Sequence, residues 1–253
     1  MSQSAVVIPY WGIIISLLPM FVVSAILFKW QGTFREPVYA TVRMTVQLLL
    51  IGLFLNYLFS AENQPLTLSL LLFMIVAASW ISLNAIKAHR RQLISVVLIS
   101  VFVGGTSCLL LITLGVLQLE PWYKARYVIP MAGMIYANAM NGVSLCAERF
   151  LSEWRHRPDF EKARNHSYRA ALIPITNTMF AAGLVSLPGM MTGQILAGMS
   201  PLIAVRYQIV IMAGILGSIG ITCAIFLLLV RYSRMQWLHS LQNQNEIVKP
   251  ETA

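Results

Sequence analysis

Residues 183–193 read GLVSLPGMMTG, three glycines and a proline inside otherwise apolar sequence. In hydrocarbon, irregular backbone survives only where it is buried in protein or lines a wet cavity. Pro188 lacks a donor and crowds the preceding turn, and Gly189 permits a sharp redirection. Pro188, Gly189, Met190, Met191 and Gly193 therefore predict a helix interruption facing the protein interior beside a pathway, with a simple proline kink as the alternative. Two further pairs have spacing that could serve a polar path. Asn138 and Asn141 are three apart on one helical face, as are Arg43 and Gln47 at four. The asparagines either line a path or hydrogen-bond between helices. Arg43 taken alone reads as snorkelling to headgroups, whereas Gln47 lies deeper and needs a partner.

Other donors are arranged less suggestively. Methionines cluster at Met131, Met134 and Met140 and again at Met179, Met190, Met191 and Met199. Thioethers suit soft metals such as Cu(I), but gap-filling is the better reading without shared spacing to Cys or His. Cys108, Cys146 and Cys223 show no CxxC or CxxH spacing and read as small buried hydrophobes. No GxxxxGK[ST], HExxH or GxSxG occurs, so ATP binding through a P-loop and the common hydrolytic routes find no support, and no catalytic residue is assigned. All nine carboxylates fall in loops or at span ends, and His89, His156, His166 and His239 fall on one side. A secondary, proton-coupled carrier lacks its usual relay. The last span has no lysine for a retinal Schiff base. The metal ligands, if any, stay unknown.

These residues need helices to hold them, and the composition supplies membrane helices. The chain is 58% hydrophobic and 11% charged, where a soluble domain carries about 25% charged residues; mean hydropathy is +0.72. The expected fold is all-α and polytopic, with about seven transmembrane helices near 6–28, 38–59, 65–85, 93–119, 128–147, 170–198 and 202–230, the sixth interrupted. Each approaches the roughly 20 residues that a bilayer requires. One transmembrane domain would cover 1–230 and a cytoplasmic tail 231–253. No cleavable leader is evident.

The net charge of +9 follows from orientation and calls for no nucleic acid. With the N-terminus outside, the inner side gathers Lys29, Arg35, Lys87, Arg90 and Arg91, six Lys/Arg over 149–169, and Arg231, Arg234 and Lys249. The outer side keeps Lys124, Arg126 and Arg206. That bias predicts an outside N-terminus and a cytoplasmic C-terminus. The longest polar inner segment is 148–169, ERFLSEWRHRPDFEKARNHSYR.

VIPMAGMIYANAM, followed by RAALIPITNTMFAAGLVSLPGMMTGQILAGMSPLIAVRYQIVIM, resembles the FetB-type permease family. Arg43, Gln47, Leu48 and Gly52 extend the resemblance to the second span. The family comprises membrane subunits of bacterial ABC transporters associated with iron export, related to plant permeases of aluminium tolerance. The resemblance implies a permease in the bacterial inner membrane, paired with a separately encoded cytoplasmic ABC ATPase, two copies of each. ATP would be bound and hydrolysed on the partner, and no cofactor in this chain. It also implies a longer loop between the fifth and sixth spans, with a Leu-Ser-Leu-Gly-Ala turn, docking on the ATPase. Here the loop lacks that turn. PDFEKARNHSYR could still form a helix from Pro158 and Asp159, so Glu153, Arg155, Arg157, Asp159, Glu161, Lys162 and Arg164 are the candidate coupling residues. A membrane scaffold or regulator that kept the fold and lost coupling is the rival reading.

Overall fold

Long apolar runs bounded by Pro, Gly and charged residues give long helices. The computed structural model describes residues 9–32, 35–61, 63–156, 158–233 and Leu238. The helices are α1 (Tyr10–Ser16), α2 (Leu18–Gln31), α3 (Arg35–Ala61), α4 (Gln64–Ser82), α5 (Arg90–Leu110), α6 (Ala125–His156), α7 (Phe160–Ala181), α8 (Gly189–Leu196) and α9 (Pro201–Ser233). Among the described residues there is no β-strand, only an isolated bridge between Ala182 and Ser186. The all-helical expectation holds among the described residues; the expected segments overlap helices there, except at 182–188, while residues 6–8 of the first and most of the expected tail at 231–253 lie outside the described residues.

Two compact units form, residues 1–62 with 196–198, and residues 63–195 with 199–253. In the first, α2 packs against α3, and α2 closes on Gly32, whose φ of +68° is left-handed. Most of its large apolar side chains, such as Phe21 and Leu53, are exposed. Such a surface suits lipid tails as well as it would suit protein.

The second unit holds the core. A 3₁₀ segment, Leu83–His89, joins α4 to α5, and Ile86 leaves helical geometry there (φ −129°, ψ 47°). α5 packs on α9, and α6 lies against α4, α5, α7 and α9. Small residues allow these close approaches. A Cβ added to Gly104 of α5 would lie 2.7 Å from the backbone nitrogen of Thr222 on α9. Tyr136, Phe150 and Phe226 are the largest fully buried side chains.

Four stretches among the described residues are long and apolar enough to cross a bilayer: Trp11–Trp30, Arg35–Phe54, Gln64–Val116 and Pro201–Ser233. The third runs for 53 residues across the break at Ile86, about 80 Å if straight, far more than one crossing. α6 and α7 fall outside this group; they carry the polar residues that wall the cavity described below.

One expectation is corrected. Residues 148–169 are not a loop: α6 runs on to His156 and α7 begins at Phe160. The segment is polar on its outside only. Phe150, Leu151, Trp154 and Ala163 are buried, continuing the helices' apolar stripe past the polar residues. Asp159, in extended conformation, caps α7 by accepting from the Lys162 amide at 3.1 Å. α6 starts at Ala125 and holds Pro130 inside it.

Candidate functional site

The break between α7 and α8 has a definite construction. α7 ends at Ala181, α8 starts at Gly189, and Gly183 between them adopts φ +80°. Only glycine takes that conformation without strain. The backbone groups freed by the break are paired locally. Val185 and Ser186 both donate to the Ala181 carbonyl, at 2.8 and 3.1 Å, and the Gly183 N–H donates to the Ser186 carbonyl at 2.9 Å. The turn thus closes several of its own polar groups, the economy an interruption needs where water is scarce.

Its orientation divides. Leu184 and Val185 at the turn are 89% and 84% exposed, contrary to an interruption turned wholly inward. With the hydrogen bonds closed inside the turn, its side chains need no protein cover. Pro188, Gly189 and Met190 do point inward, onto a cavity of about 600 Å³ among α6, α7, α8 and α9. Met191 and Gly193 do not line it, since α8 has by then restarted and turns them away.

Asn138 and Asn141 of α6 both line the cavity, with Met134 and Ser144. The Asn138 amide nitrogen donates to the Met134 carbonyl at 2.8 Å. α7 contributes Pro174 and Thr178, and the Thr178 hydroxyl donates to the Pro174 carbonyl at 2.9 Å. α9 contributes Gln208, Met212, Ile215 and Ile219. Gln208 is only 8% exposed, and its Oε1 finds no hydrogen-bond partner among the described residues. A buried unpaired amide oxygen costs about 1–3 kcal/mol, so its retention against a cavity marks a place where a ligand or water supplies the missing donor. Reading motifs missed Gln208; the signal available was its position as a lone amide in the last apolar span. Among the described residues no ionised side chain lines the cavity, whose polar groups are amides, hydroxyls and thioethers. Among the described residues no three His, Cys, Asp or Glu gather to hold a metal ion.

Arg43 and Gln47 lie on α3 in the first unit and are exposed there. The cavity is walled wholly by the second unit.

The proposed coupling residues are not one free charged face. Glu153 takes Arg149 at 2.5 Å and His166 at 3.3 Å, tying α6 to α7. Desolvation lifts the Glu153 pKa, but the His166 and Arg149 interactions outweigh it and hold the carboxyl below its usual range. Arg155 Nη2 lies 2.9 Å from His89 Nε2. Burial, then the Arg155 charge, lowers the His89 pKa, so the ring is neutral and its nitrogen accepts. Asp159 is used as a cap, with Lys162 Nζ at 3.4 Å, and Arg164 donates to Asn165 at 3.1 Å. Glu161 and Lys162 remain exposed on the first turn of α7, and Arg157 lies outside the described residues. A second, polar cavity of about 500 Å³ lies nearby, between the 3₁₀ segment and the end of α6, lined by Lys87, His89, Glu148, Ser152, Arg155 and His156 among others.

An all-helical core with a polar, uncharged cavity beside a broken helix defines a polytopic membrane protein. The chain belongs to the Uncharacterised protein family UPF0014, whose model matches residues 10–160 and 159–235. The two matched pieces meet at the turn between α6 and α7. A UPF0014 membrane protein of Synechocystis is 32% identical over 85% of this chain and 92% of its own length. The "Probable iron export permease protein FetB" of Escherichia coli is 34% identical over 78% of this chain and 82% of its own. The protein ALUMINUM SENSITIVE 3 of Arabidopsis thaliana is 29% identical over 72% of this chain and 71% of its own. No solved structure matches the chain.

Proposed function

We propose that this chain is the permease subunit of an ABC-type exporter of iron or another metal ion, energised by ATP hydrolysed on a separate cytoplasmic subunit. The observation that carries the reading is the cavity of about 600 Å³ beside the broken helix, with Gln208 unpaired on its wall. A membrane-embedded space of this size, walled by neutral polar groups, suits transient binding of a solute. Strong ligation by carboxylates would hold it too tightly to release. The name of the Escherichia coli relative supports iron as the cargo.

On this reading the protein works as a pair of permeases with a pair of ATPases in the bacterial inner membrane, with an outside N-terminus and a cytoplasmic C-terminus. It carries no cofactor itself and no catalytic residue. ATPase contact would fall on the α6–α7 hairpin, through exposed Glu161 and Lys162, or on the polar cavity at Lys87, His89 and Arg155.

Reconstitution tests it: this chain and a candidate ATPase in one proteoliposome should move Fe(II) on addition of ATP. Absence of ATP-dependent movement with every ATPase that co-purifies would overturn it. A second reading, an uncoupled membrane scaffold, is favoured by the short connection at 157–159, where the two family matches meet. It predicts that no ATPase co-purifies at all.

A further inference from the structure

Directly beneath the cavity lie two thiols that the permease reading does not use. Cys146 on α6 and Cys223 on α9 are both 0% exposed and belong to one buried cluster where the two helices pack. They continue the cavity wall by one helical turn. Gly142 and Ile219 line its floor, and Cys146 and Cys223 each follow four residues later, on the same helix faces. At Gly142 the wall is thin: a Cβ there would sit 3.5 Å from Cys223 Sγ. Tyr168 of α7 reaches α9 three residues before Cys223, where a Cβ on Gly220 would lie 3.1 Å from its hydroxyl. Above the floor, Met134, Met190 and Met212 bring three thioethers to one space.

We propose that Cys146 and Cys223 form a two-sulfur site for a soft monovalent d10 cation of the Cu(I) class, entering past the methionine thioethers of the cavity. The donor set selects the ion. Thiolate and thioether sulfur favour Cu(I)-like ions, and such ions accept two-coordinate geometry. Zn²⁺ wants four ligands and Mg²⁺ or Ca²⁺ wants six or more oxygens. No carboxylate or imidazole joins this pair among the described residues to make a third ligand. Charge selects it as well, because an uncompensated ion in a dry interior is very costly. One thiol loses its proton, which leaves to water through the cavity above: its S–H bond breaks, a metal–sulfur bond forms, and the second thiol donates a sulfur lone pair. A cation has replaced a proton, so the net charge of the site and every oxidation state are unchanged. Gln208 and the asparagines above supply neutral dipoles on the way in. The route of entry rests on the permease reading of the cavity, but binding needs neither ATP nor a partner.

The test uses the full chain in lipid nanodiscs, with Cu(I) delivered anaerobically and competed by a chromogenic Cu(I) chelator. The expected result is one Cu(I) bound per chain. Affinity should fall by roughly 100-fold or more in the Cys146→Ser/Cys223→Ser variant, since even outer-shell partners of a metal ligand are worth about 10–100-fold. Cys108→Ser should bind as the unmodified chain does. X-ray absorption on the unmodified chain needs no substitution and should report two short copper–sulfur distances. Unchanged affinity in the double variant, or a copper environment of nitrogen and oxygen, overturns the site. Bound Cu(I) without any ATP-driven transport would leave the site standing and sink the exporter reading instead.

Discussion

Gly142 on α6 and Ile219 on α9 meet at the floor of the cavity, where a Cβ on the glycine would fall 2.6 Å from Ile219 Cγ2. That approach fixes how far the two helices stand apart below the polar groups. Gly142→Ala should therefore destabilise the chain by about 1–3 kcal/mol, the usual range for overpacking a filled interior. Thermal unfolding in detergent checks it. A melting temperature equal to that of the unmodified chain would mean that the helices separate freely there.

Gln208 offers a test in which stability and function part company. Gln208→Leu removes a buried oxygen that lacks a partner, relieving a cost of about 1–3 kcal/mol. The variant should melt at the same temperature or higher, yet lose most metal-stimulated turnover. A variant that is both unstable and inactive would assign Gln208 to packing.

His89 gives a pH dependence with a definite sign. Burial first, and the Arg155 charge second, lower its pKa in the folded chain. As pH falls, the unfolded chain takes up this proton before the folded one does. The contribution is thus complete above the ordinary histidine pKa of about 6.5 and is lost as pH drops through the lower folded value. Unfolding midpoints compared at pH 7.5 and pH 5 should show a loss at the acid end that shrinks in His89→Gln. A larger midpoint at acid pH traceable to His89 would reverse the assignment.

Trp154 ties the C-terminal end of α6 to the segment beyond α9. Its Nε1–H donates to the Leu238 carbonyl at 3.0 Å, and its ring stacks near Phe150 with centroids 6.1 Å apart. Trp154→Phe should cost about 1–3 kcal/mol by stranding a buried carbonyl, and Trp154→Ala about 3–5 kcal/mol. Equal losses in the two variants would mean that the hydrogen bond contributes nothing. Denaturant titration separates them.

The helices were legible because apolar length dominates their signal, and the break at 182–188 because glycine and proline punctuate backbone so strongly. Asn138 and Asn141 were legible as neighbours from a spacing of three. Gln208 was not, because a single amide in an apolar run carries no spacing and its meaning comes only from what α6 and α7 place opposite it. The thiol pair was hidden for the same reason: Cys146 and Cys223 are 77 residues apart in the chain, and only the packing of α6 on α9 joins them. The polarity of 148–169 misled because its charged residues cover one helix face and leave the apolar face buried. Buried Phe150 and Trp154 decide that segment, while Arg149, Glu153 and His166 pair on its outer side.

The most direct measurement of the central claim is ATP hydrolysis by this chain reconstituted with an ATPase subunit in proteoliposomes, titrated with Fe(II), with Cu(I) and without metal. The account predicts metal-stimulated hydrolysis that collapses in Gln208→Leu while assembly with the ATPase persists. Hydrolysis that ignores metal, or stimulation that survives Gln208→Leu, would contradict a pathway through this cavity.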